Sequence, residues 1–173
     1  MIGVFDSGVG GLSVLYAIKR KTPQVDVVYF GDTENAPYGP KSKREIVSLI
    51  AMALRRLHSL GCKEVVAACN SASVSVASVP IDLLRLKVFD VVEMVGPTIE
   101  GLRRMPHPVV ILGTQATERS GIYQEACKEV GISAKVIAVP ELAGLIEKGA
   151  LREEIKPVVA RAVVESITAG AKT

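Results

Sequence analysis

Short runs of aliphatic and β-branched residues recur along the chain, separated by longer stretches in which apolar positions return every three or four residues. The runs "IGVFD" (2–6), "VDVVYFG" (25–31), "EVVAAC" (64–69), "VFDVV" (88–92), "PVVILGT" (108–114) and "AKVIAV" (134–139) are largely apolar, so they read as strands of a parallel sheet. The clearest helix lies between two of them at 42–60, where Ile46, Ile50, Ala53, Leu57 and Leu60 form one apolar stripe. "SKRE" at its start is a capping box in which Ser42 accepts from the Glu45 amide and the Glu45 carboxylate reaches back. Further helices are expected over 115–130, 140–148 and 151–169. In the last of these Pro157 lacks an N–H and is expected to start or kink the helix.

Alternating strands and helices predict an α/β fold, a parallel-sheet sandwich covered by helices. The composition shifts near "VGPTIEGLRRMPHPVV", after which the strand and helix pattern begins again. The expected organisation is two pseudo-symmetric units, 1–93 and 94–173. The second is expected to be incomplete at its C-terminus, because the helix before "ITAGAKT" should feed another strand.

Composition narrows the function without naming it. The 173 residues are 49% hydrophobic, enough for a sizeable core. The net charge of +3 is spread along the chain, and its densest run, Lys19-Arg20-Lys21, has no interleaved aromatics. A solvated helix end is therefore expected there, and no nucleic-acid partner. Three cysteines with no C-x-x-C spacing argue against a disulfide framework or a zinc cluster, so free thiols and no metal are expected. The start "MIGVFDSG" has no basic segment leading into an apolar stretch, and no apolar run approaches the ~20 residues that span a bilayer. The expectation is a cytoplasmic protein with no membrane partner.

The candidate chemistry sits where strands end. "FDSGVGG", "ACNSAS" and "LGTQAT" follow the first, third and fifth strands, and parallel strands bring such ends to one sheet edge. Asp6, Ser7, Cys69, Asn70, Ser71 and Thr114 are thus candidates for one crevice. The segment "GDTENAPYGPKS" is long enough to cover it, and Pro37-Tyr38-Gly39 offers amides and a phenol that suit a carboxylate. Cys69, at a strand end where a helix begins, is expected to be held toward thiolate by the helix dipole and free amides. Cys62 and Cys127 read as packing residues.

Two other constellations are weaker. Gly8 and Gly10 with Asp32 imitate a dinucleotide-binding turn, but Ser13 stands where the third glycine belongs. Asp6 would also repel a pyrophosphate there, whereas it would welcome an ammonium group. His58 and His107 are placed as surface or turn residues, and Ser7 lacks the neighbours of a nucleophile elbow.

Taken in order, "IGVFDSGVGGLSVL", "YFGDTENAPYGPKSKREI", "VVAACNSAS", "ILGTQATERSGIYQ" and "VPELAGLIEKG" resemble the glutamate racemase family over essentially the whole chain. The resemblance implies cofactor-independent inversion of glutamate at its α-carbon, supplying D-glutamate for peptidoglycan. One cysteine thiolate removes the α-proton and a second thiol returns one from the opposite face. By that likeness Cys69 is the first cysteine and Asp6 assists it. Ser7, Pro37, Tyr38, Gly39, Asn70 and Ser71 bind substrate, with Thr114 and Thr117 nearby. Ser71 replaces the family's more usual threonine. The second cysteine belongs to a Gly-Cys-Thr-His segment that is absent from these 173 residues. The expectation is therefore a shortened racemase that racemises poorly alone, or a non-catalytic domain that binds acidic amino acids. An exposed apolar edge in the second unit would favour homo-oligomers.

Overall fold

The computed structural model describes residues 1–80 and 90–168. The chain divides into two compact units, Met1–Met94 and Val95–Thr173. The first contains strands β1 (Ile2–Asp6), β2 (Val27–Gly31), β3 (Glu64–Ala67) and β4 (Asp90–Val92) and helices α1 (Leu12–Lys21), α2 (Lys43–Ser59) and α3 (Asn70–Val76). The second contains α4 (Val95–Leu102), β5 (Val109–Gly113), α5 (Gln115–Ser120), α6 (Ile122–Glu129), β6 (Ala134–Ala138), α7 (Pro140–Glu147) and α8 (Arg152–Thr168). This is a mixed α/β fold with parallel sheets.

In the first unit all strands are parallel, in the order β2-β1-β3-β4. The chain leaves β1 to one side for β2 and crosses to the other side for β3. The C-terminal ends of β1 and β3 therefore flank the point where strand order reverses, the place where open α/β sheets leave a crevice. The register fixes which residues meet there: Asp6 pairs with Gly31 on one side, and Phe5 with Ala67 on the other. Ala68 N then donates to Phe5 O at 2.8 Å, extending the pairing to the residue before Cys69.

Helix α2 covers this sheet with Ile46, Ile50, Ala51, Ala53, Leu54 and Leu57, which are buried together with Val4, Phe5, Val65 and Ala67. Its capping box forms as expected. Ser42 Oγ accepts from Glu45 N at 3.3 Å, and Ser42 N donates to Glu45 Oε2 at 2.8 Å. Leu60, read as the end of the apolar stripe, is instead the C-cap and 44% exposed, because the helix stops at Ser59 and the stripe no longer continues. At the end of α1, Lys19 Nζ donates to the carbonyls of Pro23 and Val25, tying the turn that follows back onto the helix.

The second unit is built on the parallel pair β5–β6, in register from Val109↔Ala134 to Gly113↔Ala138. The stretch read as one helix over 115–130 is two, broken at Gly121, whose φ of 68° ends α5 in the left-handed conformation that glycine adopts without penalty. Helix α4 falls where only a composition boundary was expected. Helix α8 starts at Arg152 and runs through Pro157, so the proline does not begin it. Among the described residues of α8 only Ala162 is buried, while Val163, Val164 and Ile167 are exposed. Positions 88–89 of the fourth expected strand and 169 of the last helix lie outside the described residues. No described helix is long and apolar enough to cross a membrane.

Candidate active site

Asp6 is the last residue of β1, and the glycine-rich turn that follows wraps around its side chain. Gly8 N donates to Asp6 Oδ1 at 2.7 Å, and the Gly11 amide donates to the same carboxylate. Gly11 has no room for a side chain, since a Cβ there would lie 2.7 Å from Asp6 Cβ and 3.1 Å from Ala68 Cβ. The amides that a pyrophosphate would need are thus taken by the protein's own carboxylate, which removes the dinucleotide alternative. Asp6 is 6% exposed, and burial raises its carboxyl above the usual range despite these two amides.

Across the switch point, Cys69 is the N-cap of α3 and is buried. Its thiol donates to Ser7 Oγ at 3.3 Å, joining the ends of β1 and β3 directly. The thiol is not held toward thiolate, as its place at a helix start suggested. Burial first, and then the neighbouring Asp6 charge, push it up, against the opposing hydrogen bonds from Ser7 and Ala72. Asp6 and Cys69 therefore form a protonation-coupled pair in which charge on one disfavours charge on the other.

The loop after β2 closes on the same neighbourhood. Tyr38 is buried, with its ring centroid 6.1 Å from that of Phe5. Its hydroxyl donates to Asp32 Oδ2 at 2.6 Å, and burial together with Asp32 and the charges of Cys69 and Asp6 drives the phenol far above its usual range. The phenol hydrogen is thus committed to Asp32, which leaves the oxygen lone pairs and the adjoining backbone for any ligand. Gly39 is buried, and Pro37, after a cis Ala36–Pro37 peptide, is exposed. Asn70 is exposed at the start of α3, and Ser71 is buried beneath it.

Asp32 was read only as a mimic of a ribose-binding acid. It anchors the loop instead: it accepts from Tyr38 and from Asn35 Nδ2 at 2.9 and 3.1 Å, and its amide donates to Asp6 O at 2.9 Å. A signal was present in the sequence, since an acid at the end of an apolar strand needs donors once it is buried, and Asn35 and Tyr38 follow within six residues.

In the second unit, Thr114 caps α5 and accepts from Thr117 N at 3.4 Å. The two hydroxyls lie 3.2 Å apart, and Thr117 is 1% exposed. Cys62, before β3, and Cys127, in α6, are buried, and burial raises both thiols.

A parallel sheet whose switch point holds a buried thiol, a hydroxyl and a carboxylate, without a histidine, suits proton transfer rather than acyl transfer. By comparison with known proteins, the chain matches the Asp/Glu/Hydantoin racemase family over residues 2–173 and belongs to it. Within the family it is similar to glutamate racemases. One from Aquifex aeolicus (strain VF5) is 41% identical over 156 residues, covering 89% of this chain and 60% of that protein. A glutamate racemase isoform from Bacillus anthracis superposes with a TM-score of 0.80 at 30% identity, covering 97% of this chain and 62% of that one. The glutamate racemase of Francisella tularensis subsp. tularensis SCHU S4, solved in complex with D-glutamate, gives 0.76 at 28% identity over 86% of this chain and 56% of that one. The chain thus spans 60% of the length of the first of these relatives.

Proposed function

We propose that the chain carries one proton-transfer face of a cofactor-independent racemase for glutamate, acting in the cytoplasm in the supply of D-glutamate for peptidoglycan. The observation that carries the reading is the direct contact of Cys69 Sγ with Ser7 Oγ at 3.3 Å beside the Asp6 carboxylate. The names of its relatives supply the substrate.

In this reading the thiol is protonated at rest. An incoming amino acid brings an ammonium group whose positive charge favours the thiolate, and the thiol proton passes to the Asp6 carboxylate. The thiolate then takes the α-proton, and the developing negative charge is met by amides and hydroxyls at the strand ends, among them Ser7, Asn70 and Ser71. Residues 37–39 and Ser71 hold the carboxylates. Asp6 moves the proton to and from the thiol. One base serves one face of the α-carbon. Inversion requires a second donor opposite; Cys62 is buried just before β3 and Cys127 is buried within α6.

The test is α-proton exchange in deuterated water, followed by NMR with L- and D-glutamate separately, with aspartate as the control for side-chain length. A polypeptide of these 173 residues should exchange one enantiomer, and Cys69→Ala should slow that exchange by about 10²- to 10⁴-fold. Binding without exchange would instead mark a non-catalytic domain for acidic amino acids. Equal exchange of both enantiomers would refute the single-face assignment.

A further inference from the structure

At the start of α2, away from Cys69 and Ser7, lies a solvent-open cavity of about 350 Å³ lined by Asn35, Lys41, Arg44, Glu45, Ser48 and Leu49. At the start of α2 the capping box takes two amides, with Glu45 N donating to Ser42 Oγ and Ser42 N to Glu45 Oε2, which also accepts from Ser42 Oγ. The cavity's character is set by side chains. The Glu45 carboxylate is turned back onto Ser42 and faces the Lys41 charge, which helps to hold it ionised. Arg44 is exposed on the next turn, and among the described residues its guanidinium has no carboxylate partner. The lining therefore keeps an uncompensated positive charge on the side chain best shaped to take two oxygens of one anion.

The acceptors are equally specific. Asn35 Nδ2 donates to both oxygens of Asp32, and a carboxylate accepts only, so the Asn35 amide orientation is fixed. Its Oδ1 is left as an acceptor on the cavity wall. Ser48 Oγ donates to Arg44 O, which leaves its oxygen lone pairs. Leu49 supplies an apolar side. We propose that this cavity is a binding site for a small oxyanion-bearing molecule, a phosphate or carboxylate seated on Arg44 with Lys41 beside it and a hydroxyl donating to Asn35. Because Asn35 shares Asp32 with Tyr38, the occupant lies one carboxylate away from the loop over the strand ends. The proposal does not depend on the racemase reading.

The experiment is a titration with inorganic phosphate, and separately with acetate, at constant ionic strength, followed by ¹H–¹⁵N spectra of the chain and of Arg44→Ala and Lys41→Ala. Alanine at the exposed position 44 suits a helix, so the variant should keep the native spectrum elsewhere. Saturable shifts at residues 35, 41, 44 and 48, weakened about tenfold in Arg44→Ala and less in Lys41→Ala, are expected. Whichever anion saturates identifies the oxyanion class. Shifts that grow linearly, that chloride reproduces, or that are unchanged in Arg44→Ala would overturn the site.

Discussion

Replacing Gly11 with alanine isolates the turn that holds Asp6. The backbone there permits alanine: φ is −65° and ψ −11°, an ordinary right-handed conformation. Loss of unfolded-state freedom on its own would stabilise by about 0.4–1 kcal/mol. The added Cβ, however, would sit 2.7 Å from Asp6 Cβ, 3.2 Å from Asp6 Cγ and 3.1 Å from Ala68 Cβ. None of these atoms is the free end of a flexible side chain. Asp6 is fixed by its register with Gly31 and by the Asp32 amide, and Ala68 by the hydrogen bond from its amide to Phe5 O. The turn must therefore move. That weakens the Gly8 and Gly11 hydrogen bonds to a buried carboxylate.

Forcing a methyl into such a site costs about 1–3 kcal/mol, which outweighs the entropic gain. With a urea m-value of about 1–3 kcal/mol/M, the midpoint should fall by on the order of 1 M. The assay is urea unfolding followed through amide resonances of residues 1–80, so that the second unit does not contribute. Gly10→Ala is the matched control, because a Cβ there comes no nearer than 3.9 Å to Asp6 Oδ1, so only the entropic gain remains and the midpoint should rise slightly. Equal midpoints for Gly11→Ala and the parent would refute the claim that this glycine exists to admit Asp6.

Tyr38→Phe removes one donor from the buried Asp32 carboxylate and should destabilise the first unit by about 1.5–3 kcal/mol, read from the same urea transition; an unchanged midpoint would mean that Asn35 alone suffices. Because burial raises the Asp6 carboxyl, its contribution to stability is complete below the ordinary carboxylate range and is lost as pH rises through its folded value. The urea midpoint of the parent should accordingly decline over that interval, and Asp6→Asn should flatten the decline. Asp6→Asn also removes a charge that raises Cys69, so alkylation of that thiol by iodoacetamide should begin at lower pH than in the parent. An onset at the same or higher pH would show that Asp6 carries no charge beside the sulfur.

The features legible in the sequence are those set by local pattern. Uniformly apolar runs gave the parallel strands, with ends shifted by one or two residues, and "SKRE" gave the cap of α2 in atomic detail. That Cys69 and Ser7 share one sheet edge was expected from parallel strands, whereas their direct contact needs β1 and β3 to be neighbours, which the sequence does not state. What escaped depends on the third dimension. Apolar periodicity continues across Gly121, so one helix was expected where a left-handed residue makes two. Leu60 keeps the spacing of the α2 stripe although the helix ends before it. The turn "GVGG" looks like a phosphate cradle in one dimension, and only the distance from Gly8 N to Asp6 reveals that the chain supplies its own anion.

The state of Cys69 is decided by competition between two effects that sequence displays unequally. Position at a helix start was visible, and it favours an anion by about 0.3–1 kcal/mol. Here the helix is only seven residues long. Burial was not visible, and it acts in the opposite direction, because an enclosed site disfavours the charged form. Burial prevails here, and the nearby Asp6 charge adds to it. A thiol held in this way is a poor base until something positive enters. In the proposed reaction, a substrate that carries its own ammonium group would supply that charge at the moment it is bound, so that the reactive thiolate would form only when there is an α-proton for it to take.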